Sequence, residues 1–206
     1  MDNRGKHSYN EIMEQTAAWE DARQAFLAHE EDLREAWDKA GVQRMLFTGC
    51  GSTYYLSQSA ASLFETQTGV PAGAQPGSEF LLFPDRILQD AEHTLLVTIS
   101  RSGTTTETLK AQQAFRRHGG RANWTITCYP HSPLALESDL VLPATAAQEQ
   151  SVAQTKSFAS MLLLSQLMAA AIGGRDTAAA VNLPAIGEQI IQDSEPLIAA
   201  LGGRVD

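Results

Sequence analysis

Apolar and polar positions divide the 206-residue chain into helix-like and strand-like stretches in alternation. Across residues 8–40, Ile12, Trp19, Phe26 and Leu33 recur every seven positions, and Trp37 follows one turn on. Charged residues fill the other faces, so the spacing predicts one amphipathic helix with a narrow apolar seam, ended by Gly41. The seam fits a helix lying on its own domain and equally one meeting a partner. Short apolar runs predict strands at 44–48, 70–75, 95–99, 122–128 and 139–143. Between them, Leu56, Ala60, Leu63 and Phe64 mark a helix stopping near Gly69, and Leu109, Ala111, Ala114 and Phe115 mark another stopping at Gly119-Gly120. Residues 76–82 read as a short helix capped by Ser78. Residues 161–172 are almost wholly apolar and predict a core helix; 177–182 read as a linker before a last helix at 184–201. Strands alternating with helices at this spacing imply an α/β fold, its parallel sheet covered on both faces.

Composition narrows the function classes. An apolar fraction of 43% suffices for a real core, and a formal net charge of −9 argues against a nucleic-acid-binding face. The polar start, Met1 to Lys6, lacks the apolar run of a signal peptide. The greasiest stretch is too short to span a bilayer and is interrupted by Ser165 and Gln166, so no membrane segment is expected. Cys50 and Cys128 lie far apart without C-x-x-C spacing or nearby His, which predicts neither disulfide nor metal and fits a cytoplasmic location. His7, His29, His93, His118 and His131 are each isolated and read as structural or solvated.

The chemistry concentrates in two strand-to-helix turns. Leu95-Leu96-Val97-Thr98-Ile99 runs into Ser100-Arg101-Ser102-Gly103-Thr104-Thr105, just before a helix. Unpaired N–H groups at a helix start carry the positive end of the dipole, and small hydroxyl donors beside them make a phosphate cradle without fixed charge. An ordinary Ser/Thr-rich loop is the plainer explanation of that stretch alone. The same design recurs at Gly49-Cys50-Gly51-Ser52-Thr53-Tyr54. That turn is no dinucleotide fingerprint, because Tyr54 occupies the third glycine's place and no acid follows about twenty residues on. No Walker-type Gly-Lys-Ser/Thr is present either, and no cofactor is expected. Lys156 falls in the first turn of the apolar helix, where a cation is unfavourable by ~0.3–1 kcal/mol. It therefore hints at a ligand or at a paired acid such as Glu149, an exposed surface lysine being the commoner case.

Taken together, these motifs resemble the sugar isomerase (SIS) domain family. The nearest branches are the tagatose/galactosamine-6-phosphate ketose–aldose isomerases and deaminases, and the isomerase half of glucosamine-6-phosphate synthase. Four stretches carry the likeness: Glu11-Ile12-Met13-Glu14-Gln15, the turn from Gly49 to Tyr54, the turn from Ser100 to Thr105, and the run from Glu149 to Phe158. Glu137-Ser138-Asp139 fits as well, and the form Ser151-Val152-Ala153-Gln154-Thr155-Lys156-Ser157-Phe158 looks nearer the ketose–aldose isomerase branch. The resemblance implies a three-layer α/β/α sandwich around a five-stranded parallel sheet. It also implies that Ser52, Thr53, Ser100, Ser102 and Thr105 contact a sugar phosphate, with Arg101, Val152 and Gln154 beside the sugar. Thr104 departs from the acidic residue often found there, which bears on sugar preference.

The implied function is binding of a phosphorylated hexose or amino-hexose by an aldose–ketose isomerase or a deaminase; the alternative is a non-catalytic sugar-phosphate sensor. Isomerisation between C1 and C2 needs a general base. In the two-lobed enzymes of the family that base comes from a second lobe or a partner subunit, and no catalytic residue is assigned here. Glu149, the only carboxylate near a ligand-facing motif, reads first as a helix cap or as the partner of Lys156. The expected organisation is a helix at 1–40, the SIS domain at 41–173, and a linker and last helix at 174–206 leading towards a second lobe. That last helix and Gly202-Gly203-Arg204-Val205-Asp206 mirror the sequence that precedes the first strand. Self-association, as a homodimer or through a second lobe, is expected to bury the first helix's seam and the last helix.

Overall fold

The computed structural model describes residues 5–202, so the sequence readings at Met1 to Arg4 and Gly203 to Asp206 lie outside the described residues. Helices α1 (Lys6–Met13), α2 (Gln15–Ala28) and α3 (Glu30–Ala40) lead into strand β1 (Arg44–Gly49) and helix α4 (Ser52–Thr68). There follow β2 (Ala72–Pro76), the short helices α5 (Gly77–Leu82) and α6 (Pro84–Ile87), β3 (Thr94–Ile99) and α7 (Thr106–Arg117). Then come β4 (Ala122–Thr127), α8 (Pro133–Leu136), β5 (Leu140–Pro143), α9 (Lys156–Ile172) and α10 (Leu183–Gly202). The five strands form one all-parallel sheet in the order β2-β1-β3-β4-β5.

Near-continuous apolar strands are what a sheet buried on both faces demands. Met45, Phe47, Leu95, Val97, Trp124 and Ile126 point to one face, where they pack with α2, α4 and α9. Leu46 and Leu96, one position out of phase, meet Phe80, Ala111 and Phe115 of α5 and α7 on the other. Full burial of each large apolar side chain is worth roughly 1.5–3 kcal/mol. Towards the second face a buried polar chain also runs: Thr98 Oγ1 lies 2.5 Å from Thr125 Oγ1, which lies 2.6 Å from Ser138 Oγ. Asn123 joins it, donating to the Leu96 carbonyl at 3.1 Å and accepting from Gln112 and Ser138. Each donor there has an acceptor, which limits the cost of burying these groups; only the Gln112 amide oxygen in this cluster has no partner.

The predicted single helix over 8–40 is three helices, broken at Glu14 and His29. At His29 (φ −121°, ψ 10°) the backbone N–H bonds the Phe26 carbonyl and Nδ1 lies 2.9 Å from the Ala25 carbonyl, tightening the last turn of α2. The break at Glu14 divides the seam: Phe26 and Leu33 beyond it are buried, whereas Ile12 before it stands exposed. Ser78 does not cap α5; Pro76 holds that position and Ser78 is an exposed first-turn residue. The stretch read as a linker forms a 3-10 helix, Thr177–Asn182, capped by Asp176 through the Ala178 N–H at 2.8 Å. The stops at Gly41 and Gly69 stand, with φ of 58° and 73°.

Candidate functional site

The chain passes from β1 to β2 on one side and then crosses back to β3 on the other, so the strand order reverses between β1 and β3. Helices α4 and α7, which follow those two strands, pack on opposite faces. The two hydroxyl-bearing turns therefore flank one crevice at the carboxyl edge of the sheet, where open α/β sheets bind ligands.

In the second turn Ser100 is buried; its Oγ accepts from the Gly103 N–H at 3.1 Å and lies 3.4 Å from Thr105 Oγ1. Ser102 and Thr105 are partly exposed, and Ser102 Oγ accepts from the Thr104 N–H at 3.2 Å and its hydroxyl at 3.0 Å. Accepting those bonds leaves the Ser102 proton free to donate. Thr105 is the N-cap of α7 and makes no side-chain cap, so the first N–H groups of the helix are left without that partner. In the first turn Ser52 opens α4 and is exposed. Thr53 is buried, and its hydroxyl accepts from the Cys50 N–H and donates to the Cys50 carbonyl, both at 3.0 Å. That hydroxyl shapes the turn. Gly49 permits the close approach, since a Cβ there would fall 2.6 Å from the Thr53 backbone.

The third part is the segment between β5 and α9. Glu149, its side chain fully buried, accepts from the Thr155 N–H and hydroxyl at 2.7 Å each, from the Ser157 N–H at 3.2 Å, and from the Ser157 hydroxyl. Its sequence reading as a helix cap holds; its pairing with Lys156 does not. Lys156 is buried rather than on the surface, and its ammonium meets Glu14, at the break between α1 and α2, at 2.7 Å. Arg101 reaches from the second turn to the Ser151 and Val152 carbonyls at 3.0 and 3.3 Å and lies 3.5 Å from Glu149 Oε2. Both cations are thus matched by carboxylates, leaving neutral donors to receive an anion. The Val152 side chain is 93% exposed, and Gln154 carries a buried amide oxygen with no partner.

Sequence reasoning missed the wall on the β4 side. Tyr129, Pro130, His131, Ser132 and Gln148 join Ser102 and Thr104 around a cavity of about 260 Å³. The signal was the Pro130–Pro133 turn, which ends the strand next to β3 at the same sheet edge. Of the residues that the sequence singles out for binding, only Ser102 lines this cavity; Ser52, Thr53, Ser100, Arg101, Thr105, Val152 and Gln154 lie outside it. Among the described residues no group of three or more His, Cys, Asp or Glu side chains is placed to hold a metal ion. Both cysteines are free, and burial, followed by the nearby Glu149 charge, pushes the Cys128 thiol up to about 12. No helix among the described residues is long and apolar enough to cross a membrane.

The arrangement is suited to hold an anion at neutral donors between two helix starts, with a guanidinium alongside. The family model described as "SIS domain" matches residues 40–171. A glutamine–fructose-6-phosphate aminotransferase (isomerizing) of Yersinia pseudotuberculosis is 32% identical over 169 residues, 79% of this chain and 27% of that protein. Among solved structures, tagatose-6-phosphate ketose/aldose isomerase from Escherichia coli superposes with a TM-score of 0.78 at 22% identity, over 90% of this chain and 52% of that one. Glucosamine-6-phosphate deaminase from Thermotoga maritima gives 0.74 at 28% identity, over 94% and 57%. The chain thus spans about a quarter of the length of that curated relative and about half of those solved structures.

Proposed function

The chain belongs to the SIS domain family, and on that premise we propose that it binds a phosphorylated hexose or amino-hexose as one lobe of a sugar-phosphate isomerase or deaminase. The observation that carries the reading is the pair of hydroxyl turns facing each other across the β1/β3 reversal. Ser102, Thr105, Ser52 and the first N–H groups of α7 and α4 receive the phosphate. Ser100 and Thr53 hold the two turns in shape, and Arg101, Val152 and Gln154 flank the sugar. The partnerless amide oxygen of Gln154 is free to accept a sugar hydroxyl. The names of the relatives, which act on fructose 6-phosphate, tagatose 6-phosphate and glucosamine 6-phosphate, support that ligand class. They favour an enzyme over a sensor.

No carboxylate of the described crevice is free to act as base, since Glu149 is consumed by its four donors. The base and the closing wall come from a second lobe of the same fold. The surface that supports such a partner is an apolar groove of about 330 Å³ between α1 and α10, lined by Tyr9, Ile12, Met13, Ile190, Ile191 and Ile198. Two free cysteines suit the reducing cytoplasm.

Titration calorimetry with fructose 6-phosphate, tagatose 6-phosphate and their amino forms tests the reading. Ser102→Ala with Thr105→Val removes two donors to phosphate, each worth ~1.5–3 kcal/mol, and abolishes measurable binding while the fold persists. Equal binding by the parent and the double variant overturns it. In sedimentation velocity the parent self-associates and Ile190→Glu with Ile198→Glu weakens that association; a parent that stays monomeric at high concentration removes the self-association reading.

A further inference from the structure

The stretch Glu11 to Gln15 has no part in the crevice, yet two of its carboxylates, Glu11 in α1 and Glu14 at its end, tie it to the segment before α9. Glu11 is 5% exposed. Its Oε1 accepts from the Gln150 N–H at 2.6 Å and the Ser151 N–H at 3.1 Å, and its Oε2 receives the Ser151 hydroxyl. One turn on, Glu14 holds Lys156 at the other end of the same segment. Ser151 is therefore gripped on both sides of its own peptide units. Its N–H and hydroxyl go to Glu11, and its carbonyl goes to the Arg101 guanidinium at 3.0 Å.

A helix carboxylate buried on a loop is expensive unless its acceptors are filled. Here they are filled by the loop itself, and the loop in turn sets the direction of the one cation at the sugar side of the crevice. Without Glu11 nothing else described binds the Gln150 and Ser151 N–H groups, so the 150–152 peptides keep only the Arg101 bonds to their carbonyls and the Ser151 hydroxyl's bond to the Ala153 carbonyl at 2.8 Å. The carbonyls that aim Arg101 then move with them.

We infer that Glu11 is a positioning residue for sugar recognition: through Ser151 it fixes Arg101 beside the sugar, 140 residues away in sequence from the loop it anchors. The inference rests on the phosphosugar reading above and deepens it by separating two parts of the site. The phosphate turn makes its own hydrogen bonds through Ser100 and Ser102 and needs no help from α1. The sugar side depends on α1.

A double-mutant cycle on the full chain tests this, read by calorimetric titration with fructose 6-phosphate and, separately, with inorganic phosphate. Glu11→Gln is expected to weaken fructose 6-phosphate binding about tenfold, the scale of coupling between groups in one network. Its affinity for inorganic phosphate stays that of the parent. Arg101→Ala weakens fructose 6-phosphate to a similar degree, and adding Glu11→Gln to Arg101→Ala costs nothing more. Ser151→Ala, which deletes only the hydroxyl donor, is the milder variant should Glu11→Gln unfold; it is expected to give a smaller loss with the same non-additivity. Additive effects of Glu11→Gln, or of Ser151→Ala, with Arg101→Ala overturn the inference, as does an equal loss of inorganic phosphate binding. A parent chain that binds no phosphosugar at all overturns the functional reading itself.

Discussion

At φ +62°, Gly103 lies in the left-handed region, and a Cβ built on it would fall 1.9 Å from Ser132 Oγ. The turn between β3 and α7 can close onto the β4 wall only with glycine there. Left-handed backbone costs an L-residue roughly 1–2 kcal/mol, and the collision adds to it. Gly103→Ala should therefore lower the unfolding free energy by ~2 kcal/mol or more in urea titration, whereas Ser102→Ala should stay within ~0.5 kcal/mol. Equal stability of the two variants contradicts this account of the turn. Single residues were legible where chemistry is local. The hydroxyls of Ser100, Ser102 and Thr105 follow a strand and open a helix, and both properties are written in the neighbouring residues. Lys156 was not legible, because its partner Glu14 is distant in sequence. Nor could sequence separate Ser52, which is exposed, from Thr53, whose hydroxyl turns back on Cys50.

Among the elements, α1 and the segment before α9 are joined chiefly by ionised groups, and this gives the junction a pH dependence. Burial by itself raises the Glu11 carboxyl; the Ser151 hydroxyl, the Ser151 and Gln150 N–H groups and the Lys156 charge outweigh it and leave the group below its usual 4.5. Glu20 of α2 behaves alike: hydrogen bonds from Arg23 and Gln24 hold it at about 2. A carboxyl lowered in the folded state contributes stability above its unfolded pKa and loses it as pH falls through the folded value. The stability gap between the parent and Glu11→Gln should therefore be full near neutral pH and narrow progressively below pH 4.5. A gap that stays constant through the acid range in denaturant titrations at several pH values contradicts the assigned bonds. Element types were largely readable, since alternating apolar runs and glycine stops report local backbone. The breaks at Glu14 and His29 were not, because neither carries a glycine or proline signal. The Ser78 cap failed for a similar reason: Pro76, with φ −64° and ψ 146°, already supplies the entry to α5.

Over the whole molecule, the proposed function rests on strand order. Alternating strands and helices imply a parallel sheet, but the order β2-β1-β3-β4-β5 depends on contacts distant in sequence. Without the family resemblance, two similar turns would have been only two similar turns. Their adjacency across the β1/β3 reversal puts both at one sheet edge, between helices on opposite faces, as the proposed joint site requires. The proposed site lies at that sheet edge, while the groove between α1 and α10 is lined by other residues, and Glu11 and Glu14 bond the segment between β5 and α9. The claim on which the rest depends is that a phosphosugar is held jointly by both turns. Amide chemical shifts recorded while fructose 6-phosphate is added to the labelled protein test it most directly. The account predicts saturable shifts concentrated at residues 100–106 and 51–54, with smaller ones at 150–154 and none at 177–182. Saturable shifts confined to one turn, or to the groove between α1 and α10, would contradict it.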